Sequence, residues 1–95
     1  MKGYVVCVYK KISDEKKLKE YALKARAAVA KFKGVFLIRG GKSKSNEGEK
    51  SPRTVVIQFP SYDDANIFYN SKEYQEAHSI LIGYAERQHQ IIEGV

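Results

Sequence analysis

Side chains alternate along a strand, so Gly3 to Tyr9 sets Tyr4, Val6 and Val8 on one face and Val5, Cys7 and Tyr9 on the other. Both sets are apolar, and neither face is suited to water. Leu18, Tyr21, Ala22, Ala25, Val29 and Phe32 then recur at three- and four-residue steps, the stripe of a helix packed on a sheet. Ser13 is read as its N-cap, Asp14 and Glu15 occupy the first turn, and Lys31, Lys33 and Gly34 mark its end. Strands are predicted at Val35 to Gly41 and Arg53 to Phe59, joined by the polar loop KSKSNEGEKSP at 42–52, which is either a lid or a long hairpin connection.

Pro60 and Ser61 end the third strand, and Ser61 with Asp64 forms an approximate capping box for a helix from Tyr62. Asn70 and Ser71 interrupt that helix. Ser71 caps a second segment with the stripe Tyr74, Ala77, His78 and Leu81, ending near Gly83. A last strand, Glu86 to Glu93, alternates Arg87, His89 and Ile91 with Gln88, Gln90 and Ile92. The order β-α-β-β-α-β predicts an α+β, ferredoxin-like sandwich with a four-stranded antiparallel sheet. Its helices cover one sheet face, so a second copy is expected on the other, making a homodimer that encloses a pocket.

Ninety-five residues suit a single domain over 1–95 with a modest core, to which dimerisation would add buried area. No run of about 18 apolar residues is present and the first apolar stretch is too short for a signal peptide, so a soluble, cytoplasmic protein without a membrane role is expected. Cys7 stands alone in an apolar strand, which rules out an internal disulfide and favours a packed thiol. The net charge of +6 invites a nucleic-acid partner, but the lysines spread over a helix face and one loop and read better as a solvated surface. KGYVVCVY at Lys2 to Tyr9 has the outline of an RNP1 motif on the wrong strand, and TVVIQF on the third strand offers no stacking ring in its middle. RNA is therefore an unlikely partner.

The candidate ligand pocket consists of Arg39, Gln58, Tyr69, Tyr74, His78 and His89. Arg39 ends an apolar strand before Gly40 and Gly41, where a guanidinium can fix a carboxylate or enolate and the backbone can approach it; an inter-strand or dimer salt bridge is the alternative. Gln58 falls on the less apolar side of its strand, with Arg39 expected nearby. Tyr69 and Tyr74 flank the helix break and either line a pocket mouth with wet hydroxyls or pack on the first helix. His78 and His89 are candidates for proton transfer, weighed against hydrogen-bonded core histidines. Asp63 and Asp64 serve a helix N-terminus, and Arg53 and Arg87 are expected to pair at the sheet ends. No Walker loop, dinucleotide fingerprint, nucleophile elbow or zinc spacing occurs, so no cofactor and no metal is expected.

The strings GVFLIRGG (Gly34 to Gly41), RTVVIQFPSYDDANIFYNSKEYQ (Arg53 to Gln75) and IIEG (Ile91 to Gly94) resemble the DUF1330 family of the dimeric α/β-barrel superfamily over nearly the full chain. The resemblance implies a homodimer with a barrel-like interior and no known reaction. Its wider relatives include cofactor-independent monooxygenases, muconolactone isomerase-like enzymes and EthD-like proteins, which implies a small organic ligand. The chain departs from the family pattern with Gln58 in place of a usual Glu and Leu81 where Arg is frequent, and a Gln cannot serve as a general base. The reading that results is a binder of a small organic acid or enolisable compound, with turnover left open: Arg39 would stabilise negative charge and His89 or His78 would move a proton. A non-catalytic structural or regulatory dimer is the alternative.

Overall fold

The computed structural model describes residues 1–95. Its elements run β1 (Gly3–Ile12), α1 (Glu15–Lys31), β2 (Val35–Arg39), β3 (Thr54–Phe59), α2 (Tyr62–Asn70), α3 (Lys72–Leu81) and β4 (Ala85–Glu93). All neighbouring strands are antiparallel in the order β2-β3-β1-β4, the predicted α+β, ferredoxin-like arrangement. No helix is long and apolar enough to cross a membrane.

β1 is central and runs past its predicted end at Tyr9 to Ile12, with a bulge between Tyr9 and Lys11 where it pairs with β4. Its register pairs Val5, Cys7 and Tyr9 with Ile57, Val55 and the start of β3 on one side, and with Ile91, His89 and Arg87 of β4 on the other. These residues face the helices. Val5, Cys7, Tyr9, Ile57 and Phe59 join Leu18, Ala25, Ala28 and Val29 of α1 in the core, and Phe59, Phe68 and Tyr74 stack successively with ring centroids 4.8 and 4.7 Å apart. Tyr4, Val6, Val8, Val35, Ile38, Val56, Gln58 and Ile92 point to the opposite, open face.

The helix ends show where local signals compete. Asp14, not Ser13, caps α1: its Oδ1 accepts from the Lys16 and Lys17 amides at 2.9 and 3.1 Å. Ser13 instead donates both its amide and hydroxyl to the Tyr84 carbonyl, tying the entry of α1 to the entry of β4. At the other end Lys33 adopts the left-handed conformation (φ 64°) that a glycine usually takes, while Gly34 follows it. Gly34 is required for space: a Cβ there would meet Val29 Cγ1 at 2.7 Å and the Phe59 ring at 2.8 Å. Ser61 and Ser71 cap α2 and α3 as expected, accepting from the Asp64 and Tyr74 amides.

Candidate functional site

α1 turns a row of small side chains, Ala22 and Ala25, toward the sheet, and the volume they leave becomes a cavity of about 170 Å³ between α1 and the inner sheet face. An apolar cavity of about 150 Å³ accommodates a benzene-sized molecule, so the space suits one ring or a short chain. The cavity lies inside one protomer. It is not on the open sheet face, where a dimer-enclosed pocket was expected, because the open-face side chains have no second layer above them within the chain.

Most of the wall is apolar, including Val5, Leu18, Val29, Val55, Ile57 and Phe68, but it also holds Arg26, Arg39, Arg53 and Arg87 and no aspartate or glutamate. The ion pairs of the chain are Lys31–Glu73 and Lys72–Glu76, so none of the four arginines has a carboxylate partner. The expected pairing of Arg53 and Arg87 at the sheet ends is thus overturned. Alternation along β4 points Arg87 inward opposite Tyr9, and the helices bring further hydroxyls to it. Arg87 Nη1 donates to the hydroxyls of Tyr9 (3.1 Å) and Tyr21 (3.0 Å) and lies 3.5 Å from Cys7 Sγ, while Nη2 donates to the Tyr74 hydroxyl at 2.8 Å. Its guanidinium also sits over the Tyr21 ring, 4.9 Å from the centroid.

A proton count shows what this cluster offers. Arg87 occupies one lone pair on each of the three hydroxyls, and Tyr21 and Tyr74 share a further bond of 2.9 Å that uses one of their two protons. Two hydroxyl protons thus have no acceptor on the protein. Burial raises the pKa of all three, that of Tyr9 to about 12 and those of Tyr21 and Tyr74 in the same direction, so the hydroxyls remain donors at neutral pH. Burial likewise raises the Cys7 thiol despite Arg87 beside it, which suits a packed thiol better than a nucleophile.

Of the residues singled out from sequence, Arg39, Tyr74 and His89 line this cavity and Gln58, Tyr69 and His78 do not. Gln58 pairs with Val35 and faces the open side, where its Oε1 accepts from Tyr4 at 3.4 Å; Arg39 pairs with Val55 on the inner side and stacks on Phe36. The two are on opposite faces because a bulge between Phe36 and Ile38 resets the alternation of β2. Tyr74 is buried and its hydroxyl is bonded, not wet. Tyr69 stays outside, its ring 5.0 Å from that of His89 and 5.3 Å from that of Tyr74. His78 is half-buried against Tyr74 and borders a separate shallow hollow with Lys10 and Glu86. His89 sits across β1 from Cys7, and burial, with the Arg87 charge and then His78 adding to it, pushes its pKa down to about 4. It is a neutral imidazole at physiological pH. Tyr9, Tyr21 and Arg87 were missed as site residues; the signal available in sequence was an arginine on the inner side of a strand with no acid at matching register.

The geometry has relatives. A search of curated protein sequences finds no match. Among solved structures, a protein of unknown function from Rhodopseudomonas palustris superposes with a TM-score of 0.79 at 9% identity, covering 99% of this chain and 82% of that one. A dimeric ferredoxin-like protein of unknown function from Jannaschia sp. CCS1 gives a TM-score of 0.79 at 11% identity, covering 99% and 100%. SnoaB, a cofactor-independent oxygenase from Streptomyces nogalater, gives 0.61 at 8% identity, covering 99% and 91%. Identities this low establish a shared fold and nothing finer. The model of the domain of unknown function DUF1330 matches residues 2–95, and the chain belongs to that family.

Proposed function

We propose that this protein binds a small organic acid in the cavity beneath α1, with the anionic group on Arg87 and the free tyrosine hydroxyl protons. The observation that carries this reading is a half-buried guanidinium surrounded by three hydroxyls and no carboxylate, in a wall that otherwise supplies donors and apolar surface. A carboxylate, enolate or phenolate satisfies such a set best, because it brings both acceptors and the opposite charge. His89 adds a neutral imidazole to the same wall. In this reading an anion on Arg87 offsets part of the charge that holds His89 neutral, and His89 then takes a proton from a carbon or hydroxyl next to the bound acid while Arg87 and the tyrosines stabilise the resulting enolate or phenolate; return of that proton elsewhere gives an isomerisation. The oxygenase among the proteins of this fold is compatible with chemistry of this kind without a cofactor. The open sheet face closes on a second copy, a reading supported by its apolar residues and by the dimeric relative from Jannaschia.

Calorimetric titration with short-chain and aromatic carboxylates tests the reading. Wild-type protein is expected to bind at least one of them, and Arg87→Met to weaken that binding about 100-fold or more, the loss expected when a desolvated charged hydrogen-bond set is removed. Binding undiminished in Arg87→Met would place the acid elsewhere.

A further inference from the structure

Arg53 lines the same cavity on the other side of β1 from Arg87. Its Nε is buried with no acceptor on the protein, a distinction no other buried side-chain nitrogen or oxygen in the chain shares. The backbone around it is fully engaged: the Arg53 carbonyl accepts from the Tyr9 amide at 2.9 Å, the Arg53 amide donates to Ser51 Oγ at 3.2 Å, and the single Ser51 hydroxyl proton is shared between the Arg53 and Tyr9 carbonyls, each 2.7 Å away. The position of Arg53 is therefore held firmly while its Nε is left without a partner.

Arg53, Tyr9 and Arg87 form a row across β3, β1 and β4, since Tyr9 bonds Arg53 on one side and faces Arg87 on the other. Adjacent strands lie about 4.8 Å apart, which separates the two arginine backbones by roughly 10 Å. Arg53 reaches toward the end of β2, where Nη1 would lie 3.1 Å from a Cβ on Gly40, and Arg87 reaches toward Tyr21 and Tyr74. The two guanidinium groups thus have separate surroundings, and an acidic group at each would satisfy both. Gly40, at φ 70°, leaves the space into which the Arg53 guanidinium fits, and Arg39 stands on the same inner wall, stacked on Phe36.

We infer that the ligand carries two acidic groups on a short skeleton or single ring, one held by Arg87 and its tyrosines and the other by Arg53 with Arg39. This rests on the reading of the cavity as an acid site and specifies the class of acid as a small dicarboxylate. The carbon skeleton runs from one arginine to the other past Tyr9, with Val55 and Cys7 of the next inner row beside it. Cavity size limits that skeleton to about the bulk of a benzene ring.

The test compares hexanoate with adipate by calorimetry on the full chain, then follows the α,ω-dicarboxylates from succinate to pimelate. Adipate or a neighbour in the series is expected to bind about tenfold or more tightly than the matched monoacid, with an optimum in chain length, and the preference is expected to persist at high salt, where non-specific attraction to a chain of charge +6 is screened. Arg53→Gln is expected to abolish the preference, bringing adipate to the affinity of hexanoate in the same variant, and Arg53→Lys, which keeps the charge without the Nε donor, to retain a small part of it. Equal affinities for hexanoate and adipate, or a diacid preference that survives Arg53→Gln, overturns the inference and leaves the acid site standing. Absence of binding by any acid overturns the acid site itself.

Discussion

A guanidinium taken half out of water loses hydration that neutral hydroxyls replace only in part, so Arg87 is held at a cost in stability. Replacing Arg87 by Met removes that cost and leaves Tyr21 and Tyr74 as each other's partners, but leaves the buried Tyr9 hydroxyl without one. The two effects offset, so Arg87→Met is expected to unfold within a few degrees of wild type while losing acid binding; a sharp fall in Tm would mean that Arg87 is a structural tie. His89 makes stability depend on pH. Its folded pKa, near 4, is below the ordinary value of 6.5, so the unfolded chain binds the proton more readily. Stability from this group is intact above pH 6.5 and is lost as pH falls toward 4, by up to about 3 kcal/mol. Urea denaturation at pH 7 and pH 4.5 should show that loss in wild type and a much smaller one in His89→Gln; equal losses in both would show that His89 titrates normally. That His89 points inward was legible from strand alternation alone, whereas the importance of Arg87 was not, because its hydroxyl partners on β1, α1 and α3 lie 78, 66 and 13 residues away in sequence.

At the scale of elements, the turn after α1 makes the sharpest prediction. Lys33 and Gly34 divide between them two demands that a single glycine often meets, a left-handed backbone and absence of a side chain. Lys33→Gly removes the left-handed penalty and is expected to stabilise the protein by about 0.5–1 kcal/mol. Gly34→Ala forces a methyl into Val29 and Phe59 and is expected to destabilise by about 1–3 kcal/mol. Thermal melts of the two variants moving in the same direction would contradict this division. The helix segments, their stripes and the caps at Ser61 and Ser71 were readable because caps and periodicity are set within a turn or two of chain. The choice of Asp14 over Ser13 was not, since Ser13 is drawn away by a carbonyl 71 residues distant.

On the scale of the whole molecule, the two sheet faces have separate tasks. The inner face builds the cavity, and the outer face, with Val6 and Val56 flanked by Ile38 at 46% and Ile92 at 44% exposure, is the surface proposed to meet a second copy. Val56→Lys places a charge at its centre and is expected to halve the mass in light scattering, leaving the far-UV spectrum and acid binding unchanged, because the cavity is on the other side of the sheet. A wild-type monomer at all concentrations would remove the dimer from the account. Sequence alone determined the α+β architecture and the apolar character of both strand faces, since alternation and helical periodicity are local properties that survive without knowledge of partners. Only the tertiary structure decided where the cavity lies and what fills its wall: the alanines of α1, the bulge in β2 and the register of β1 between β3 and β4 brought Arg53, Tyr9, Tyr21, Tyr74 and Arg87 to one space. Those meetings depend on packing and register between distant segments, which no stretch of the chain encodes by itself.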